Sequence, residues 1–113
     1  MTAPARTRKV GLVLGKFMPP HLGHLHLIDF AESYCDELVV VVGTLAKEPI
    51  PRDLRFAWMQ ELCAGKGSVR VVHLTDENPQ DPSEHPDFWN IWKTSLERIL
   101  DDRHADAHPV RSA

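Results

Sequence analysis

Apolar residues in this chain fall into two patterns that alternate: short, nearly unbroken runs, and longer stretches in which they recur every three or four positions. Residues 10–15 read Val-Gly-Leu-Val-Leu-Gly, a run expected of a parallel strand covered on both faces. Residues 37–43, Glu-Leu-Val-Val-Val-Val-Gly, carry the strongest strand signal, because β-branched side chains suit a sheet packed on both sides. Val69, Val71, Val72 and Leu74 predict a third strand. Between them lie helical patterns. The first has Leu27, Ala31, Tyr34 and Cys35 on one face. In the second, Leu54, Trp58 and Leu62 recur at four-residue intervals after Pro49 and Pro51, and Gly65 and Gly67 stop it. A last helix carries Phe88, Ile91, Trp92, Leu96 and Ile99 on one stripe and loses its pattern from residue 101 onward. Residues 76–87 form a polar, proline-rich loop longer than most connections.

The order is βαβαβα. The right-handed crossover rule turns it into half of a doubly wound sheet: an α/β, Rossmann-like, three-layer α/β/α arrangement with a parallel sheet and the first three β-α units. The expected organisation is a flexible N-terminus over residues 1–8, one partial domain over 9–104 and a disordered, charged tail over 105–113. A length of 113 residues is one domain's worth. No apolar run approaches the roughly 20 residues of a membrane helix. The basic start is followed by too short an apolar run for a secretory leader. A net charge of −3 argues against a nucleic-acid surface, so any phosphate recognition must be local. The two cysteines, Cys35 and Cys63, show no metal or redox spacing and read as free thiols of a cytoplasmic protein. His73, His85, His104 and His108 lack metal-ligand spacing, and no structural metal is expected.

The chemistry concentrates in Gly15-Lys16-Phe17-Met18-Pro19-Pro20-His21-Leu22-Gly23-His24, between the first strand and the first helix. Ligands of open parallel sheets bind beyond the carboxyl ends of strands, and a helix N-terminus offers unpaired N–H groups to an anion. Gly15 permits close backbone approach, Lys16 adds a cation, and His21 and His24 bracket Gly23 where both rings can face one phosphate chain. Standing alone, two histidines at a helix start would be ordinary surface residues. It is their combination with the strand, glycine, lysine and prolines that points to phosphate. His26 lies elsewhere on the helix and reads as a bystander.

A strand ending in glycine, a short proline-bearing loop and His-x-Gly-His opening a helix resemble the nucleotidyltransferase superfamily that includes cytidylyltransferases. Within it the chain is most similar, over about residues 10–100, to nicotinamide-mononucleotide adenylyltransferase domains, including those fused to a ribosylnicotinamide kinase. The resemblance implies transfer of an adenylyl group from ATP to nicotinamide mononucleotide, with Mg²⁺ accompanying the triphosphate. His21, His24 and Lys16 would be the catalytic residues, and Gly15, Lys16, Phe17, His21, Gly23 and His24 the nucleotide-binding loop. Arg55 matches a family arginine associated with the mononucleotide phosphate. Trp92 matches a tryptophan that stacks on the nicotinamide ring, with Trp89 the neighbouring candidate. Periodicity puts Trp92 on the apolar stripe, where tryptophans are more often core, and Trp89 off it.

The resemblance stops before a fourth and fifth strand and an Ile-Ser-x-Thr-x-x-Arg-like motif that the family also uses. The first strand is then expected at an open edge, and the chain is read as a fragment, a degenerate copy or a unit completed by another subunit, as in a homo-oligomer through that edge. Weak or absent turnover with retained nucleotide binding is expected. The alternatives are a cytidylyltransferase or another adenylyltransferase acting on a different phosphomonoester, and a non-catalytic nucleotide-binding module. No nucleic-acid or membrane partner is expected.

Overall fold

Four consecutive valines, Val39 to Val42, mark the strand on which the rest of the fold is built. In the computed structural model, which describes residues 8–105, strand β2 (Glu37–Gly43) is buried along its whole length. It pairs in parallel with β1 (Val10–Gly15) on one side and β3 (Val69–Leu74) on the other, in the order β1-β2-β3. The register sets Val10 opposite Glu37 and Gly15 opposite Val42, and Leu38 opposite Val69 and Gly43 opposite Leu74.

Alternation along β2 divides the core in two. Leu38, Val40 and Val42 meet Ile28 of α1 (Leu22–Glu32) and Phe56 and Met59 of α2 (Arg52–Leu62). Val39 and Val41 face the other way, onto Ile99 of α3 (Phe88–Ala105), with Trp92, Leu96 and Leu100 packed alongside. The result is three layers, with α1 and α2 on one face and α3 on the other. Two right-handed crossovers advancing the sheet in one direction place their helices on one face, and α3 packs on the opposite face. In open α/β sheets ligands bind beyond the carboxyl ends of the strands.

The three strands match their sequence patterns, but β1 is only half-buried, with Leu14 43% exposed. The continuous apolar run anticipated cover on both faces, and β1 takes the edge position among the described strands that the sequence led us to expect. The helix faces differ more. Leu27 and Tyr34, expected to face inward, are 50% and 67% exposed, and Ile28, with Ala31 and Cys35, takes the core position. Helix α1 is apolar nearly all round, so periodicity does not single out a face. In α2 the Leu54, Trp58 and Leu62 stripe lies outside the buried set, which is Arg55, Phe56 and Met59. A charged side chain in a core-facing position hid the true face.

Helix α3 continues to Ala105, past the point where its apolar pattern fades. The 76–87 connection contains one turn of 3-10 helix, Pro82–Glu84. The expectations for residues 1–7 and 106–113 lie outside the described residues. Among the described residues no helix is long and apolar enough to cross a membrane. Cys35 and Cys63 are both free thiols.

Phe56→Ala should destabilise the protein by about 3–5 kcal/mol through lost transfer energy and a cavity. Tyr34→Ser, despite its place in the apolar pattern, should stay within about 0.5 kcal/mol, as surface changes do. Urea denaturation of the two variants checks that Phe56 belongs to the core and Tyr34 to the surface.

Candidate functional site

The β1–α1 loop is shaped by two glycines. A Cβ on Gly15 would lie 2.9 Å from Cζ of Phe17, so glycine is what lets that ring fold back under the loop. Phe17 is buried and takes a positive φ of 51°, a conformation uncommon outside glycine. Its ring meets His24 edge-on at 4.7 Å between centroids. The Met18–Pro19 peptide is cis. A Cβ on Gly23 would lie 2.9 Å from Cε1 of His21, so this glycine leaves room for the His21 ring to turn back over the helix start.

His21 is the N-cap of α1, and the two histidines cap the helix reciprocally. The Gly23 N–H donates to Nδ1 of His21 at 3.1 Å, and the His21 N–H donates to Nδ1 of His24 at 3.0 Å. The rings stack with centroids 3.7 Å apart. Because each Nδ1 accepts, each neutral ring carries its proton on Nε2. Burial, and then the neighbouring His21, lower the pKa of His24 below its ordinary 6.5, which favours the neutral form. The first turn of α1 contains no acidic residue, so its positive dipole end is not offset by a nearby carboxylate on the helix.

Lys16 is held from behind. Its ammonium pairs with Oε2 of Glu48, and its carbonyl accepts from Nη1 of Arg55 at 3.1 Å. Arg55 has 0% exposure. It also donates from Nε to the Ile50 carbonyl at 3.1 Å and from Nη2 to Oε1 of Glu48 at 2.9 Å. Oε1 of Glu48 further accepts the Leu45 N–H at 2.9 Å. Burial pushes the Glu48 carboxyl up, but the hydrogen bonds from Lys16, Leu45 and Arg55 outweigh it and hold the group at about 2.

A cleft of about 230 Å³ opens at the carboxyl ends of the strands. Gly15 and Lys16 of the β1–α1 loop, Gly43, Thr44 and Leu45 after β2, and Asp76, Gln80 and Trp92 across from them line it. The indole N–H of Trp92 donates to the Pro79 carbonyl at 2.7 Å, fixing the ring against the loop. Oδ2 of Asp76 accepts from Ser95 at 2.9 Å and from Arg98 at 3.0 Å. Arg52 ties the two loops together through the Thr44 carbonyl at 3.1 Å and Glu77 at 2.7 Å.

The structure therefore gathers Gly15, Lys16 and Trp92 at one cleft. His21, Gly23 and His24 form the adjoining helix start and do not line it. Trp89 is 72% exposed and lies outside the cleft, against Phe88. Arg55, expected at a substrate phosphate, lies in the interior with the partners described above, and the Phe17 side chain belongs to the core. Sequence reasoning passed over Glu48, Thr44 and Asp76. The rule that ligand sites gather beyond strand carboxyl ends points to all three, because each follows β2 or β3. Among the described residues no group of three or more His, Cys, Asp or Glu is arranged to hold a metal ion.

Gly23→Ala should displace the His21 ring and cost about 1 kcal/mol, the value of a lost N-cap. The lowered His24 pKa means folding favours the neutral ring. Its stabilisation is complete above pH about 6.5 and is lost as the pH falls through the lowered folded value. Thermal midpoints should drop on acidification through this range. His24→Ala should shrink the slope, leaving the part due to His73, whose pKa burial also lowers.

Comparison with known proteins places the fold and the loop in context. The cytidylyltransferase-like family model matches residues 12–107. The trifunctional NAD biosynthesis/regulator protein NadR of Salmonella typhimurium is 26% identical over 113 aligned residues, covering 88% of this chain and 27% of its own length. The nicotinamide-nucleotide adenylyltransferase of Aeropyrum pernix is 58% identical over 33 residues, covering 29% of this chain and 19% of that protein. The chain thus spans about a quarter, or less, of the curated relatives it matches. Among solved structures, a NadR protein in complex with NAD and AMP-PNP superposes with a TM-score of 0.72 at 22% identity, over 84% of this chain and 27% of that one. A bifunctional NMN adenylyltransferase/ADP ribose pyrophosphatase from Francisella tularensis, complexed with AMP and a manganese ion, gives 0.64 at 20% identity, over 91% of this chain and 30% of that one. With its Rossmann-like sheet and a family match covering most of its length, the chain belongs to the cytidylyltransferase-like family.

Proposed function

We propose that this chain carries the site for adenylyl transfer from ATP to nicotinamide mononucleotide, yielding NAD and pyrophosphate. The observation that carries the reading is the cleft that sets Lys16 and the glycine of the β1–α1 loop across from Trp92 at the strand carboxyl ends. The relatives add support: a nicotinamide-nucleotide adenylyltransferase, and NadR structures complexed with NAD and AMP-PNP in one case and with NR in another.

In this mechanism an oxygen of the mononucleotide phosphate attacks the α-phosphorus of ATP. The bond from that phosphorus to the bridging oxygen of the β-phosphate breaks, and pyrophosphate leaves with the electron pair. No covalent enzyme intermediate forms, so catalysis rests on positioning and charge stabilisation. The capping geometry commits both Nδ1 atoms to backbone N–H groups and leaves the Nε2–H of His21 and His24 as donors for phosphate oxygens. Lys16 has three ammonium donors, and the bond to Glu48 uses one, leaving others for the triphosphate. Mg²⁺ enters as part of the MgATP substrate and neutralises the departing pyrophosphate. Trp92 offers its face to the flat, cationic nicotinamide ring, its plane held by the Pro79 carbonyl.

A second reading, a nucleotide-binding module without turnover, uses the same cleft. Isothermal titration with ATP and with nicotinamide mononucleotide, beside a pyrophosphate-release assay, separates the readings. Binding of both with release supports the transferase. Binding without release supports the module, and ATP binding without nicotinamide mononucleotide binding points to another phosphomonoester. Trp92→Ala should weaken nicotinamide mononucleotide by about tenfold, the order of a lost stacking and cation–π contact, while changing ATP little. Equal losses for the two ligands would count against stacking.

A further inference from the structure

We propose that Arg55 does not touch substrate but acts through Glu48, cancelling the carboxylate from the interior so that the positive charge of Lys16 stays available to a triphosphate. The inference rests on the assignment of Lys16 to the triphosphate and adds to it the two residues that set its charge.

Three groups form the network, two cations around one carboxylate. Glu48 takes Lys16 on Oε2 and Arg55 on Oε1. Of the three, Lys16 alone lines the cleft, and its side chain is 38% exposed while that of Arg55 is 0%. A Lys16–Glu48 pair by itself would be neutral at the cleft wall, and an incoming triphosphate would meet a carboxylate already holding the ammonium. With Arg55 behind it, the network carries one net positive charge, and that charge faces the ligand. The effect is strong at short range in a partly desolvated site, where one unit charge alters anion affinity by an order of magnitude or more.

The same geometry argues against Arg55 as a direct ligand. Swinging the guanidinium outward would strip donors from the Ile50 and Lys16 carbonyls and from Glu48. The Glu48 carboxylate would remain beside the phosphate with only Lys16 and the Leu45 N–H to offset it. In place, Arg55 also fixes the Lys16 main chain, so it positions the lysine through both backbone and charge.

The test is charge rescue in the full chain, read as ATP affinity by calorimetry at low salt. Arg55→Met should weaken ATP by about tenfold. Glu48→Gln should bind ATP as tightly as the wild type or more tightly. The double variant Arg55→Met/Glu48→Gln should recover most of the loss, because removing both charges returns one uncompensated cation at Lys16. A purely structural role for Arg55 does not predict that recovery, and neither does direct phosphate contact. A double variant no better than Arg55→Met alone overturns the proposal. So does a Glu48→Gln loss as large as that of Arg55→Met. If circular dichroism shows that Arg55→Met does not fold, Glu48→Gln alone decides, since the proposal allows it no loss of affinity. Failure of the underlying assignment has its own signature: ATP binding unchanged in Lys16→Met removes the triphosphate role of Lys16, and with it the proposal, whatever the rescue result.

Discussion

A guanidinium with no exposed surface must have its hydrogen bonds met inside the protein, and the way Arg55 meets them organises the ligand end of this fold. Its partners are the Ile50 carbonyl ahead of its own helix, the Lys16 carbonyl after β1, and Glu48 in the loop after β2. The two connections that leave the carboxyl ends of β1 and β2 are therefore tied to one buried cation. Charged residues are seldom fully buried unless paired, and removing one partner from such a set is far more costly than removing an exposed pair. The position of Lys16 in the cleft follows from this arrangement.

The sheet supplies the place for these loops. β2 is central and covered on both faces, and β1 and β3 extend it in parallel register, so the loops that carry chemistry emerge at the same end. With α3 on the opposite face, Trp92 lines the same cleft as Gly15 and Lys16. Trp92 packs partly against the core and partly lines the cleft. Core packing and ligand contact were opposed readings of that residue in the sequence. In the structure one ring does the first and is available for the second.

The histidine pair shows how local chemistry can be set by a missing side chain. Gly23 has room above it for the His21 ring, and that ring then accepts the Gly23 N–H. His24 closes the cap from the other side. With both Nδ1 atoms committed, the Nε2–H groups are the donors in the neutral rings, and the ring orientation belongs to the helix start itself.

The strands, their order along the chain and the loop from Gly15 to His24 were legible in the sequence, because period-two burial, β-branched composition and punctuation by glycine and proline are local signals. The core-facing sides of α1 and α2 were not. Leu27 is as apolar as the buried Ile28 beside it, and where apolar residues fall on several sides of a helix only the sheet beneath determines that Ile28 points inward. In α2 an inward position belongs to Arg55, whose burial is tolerable only because Glu48 and the Ile50 carbonyl of the preceding connection, together with the Lys16 carbonyl after β1, converge on it. The sequence by itself determined which elements form and where the loop from Gly15 to His24 lies. Tertiary structure alone decided that Arg55 is buried while Lys16 lines the cleft, because that depends on groups up to 39 residues apart in sequence meeting at one guanidinium.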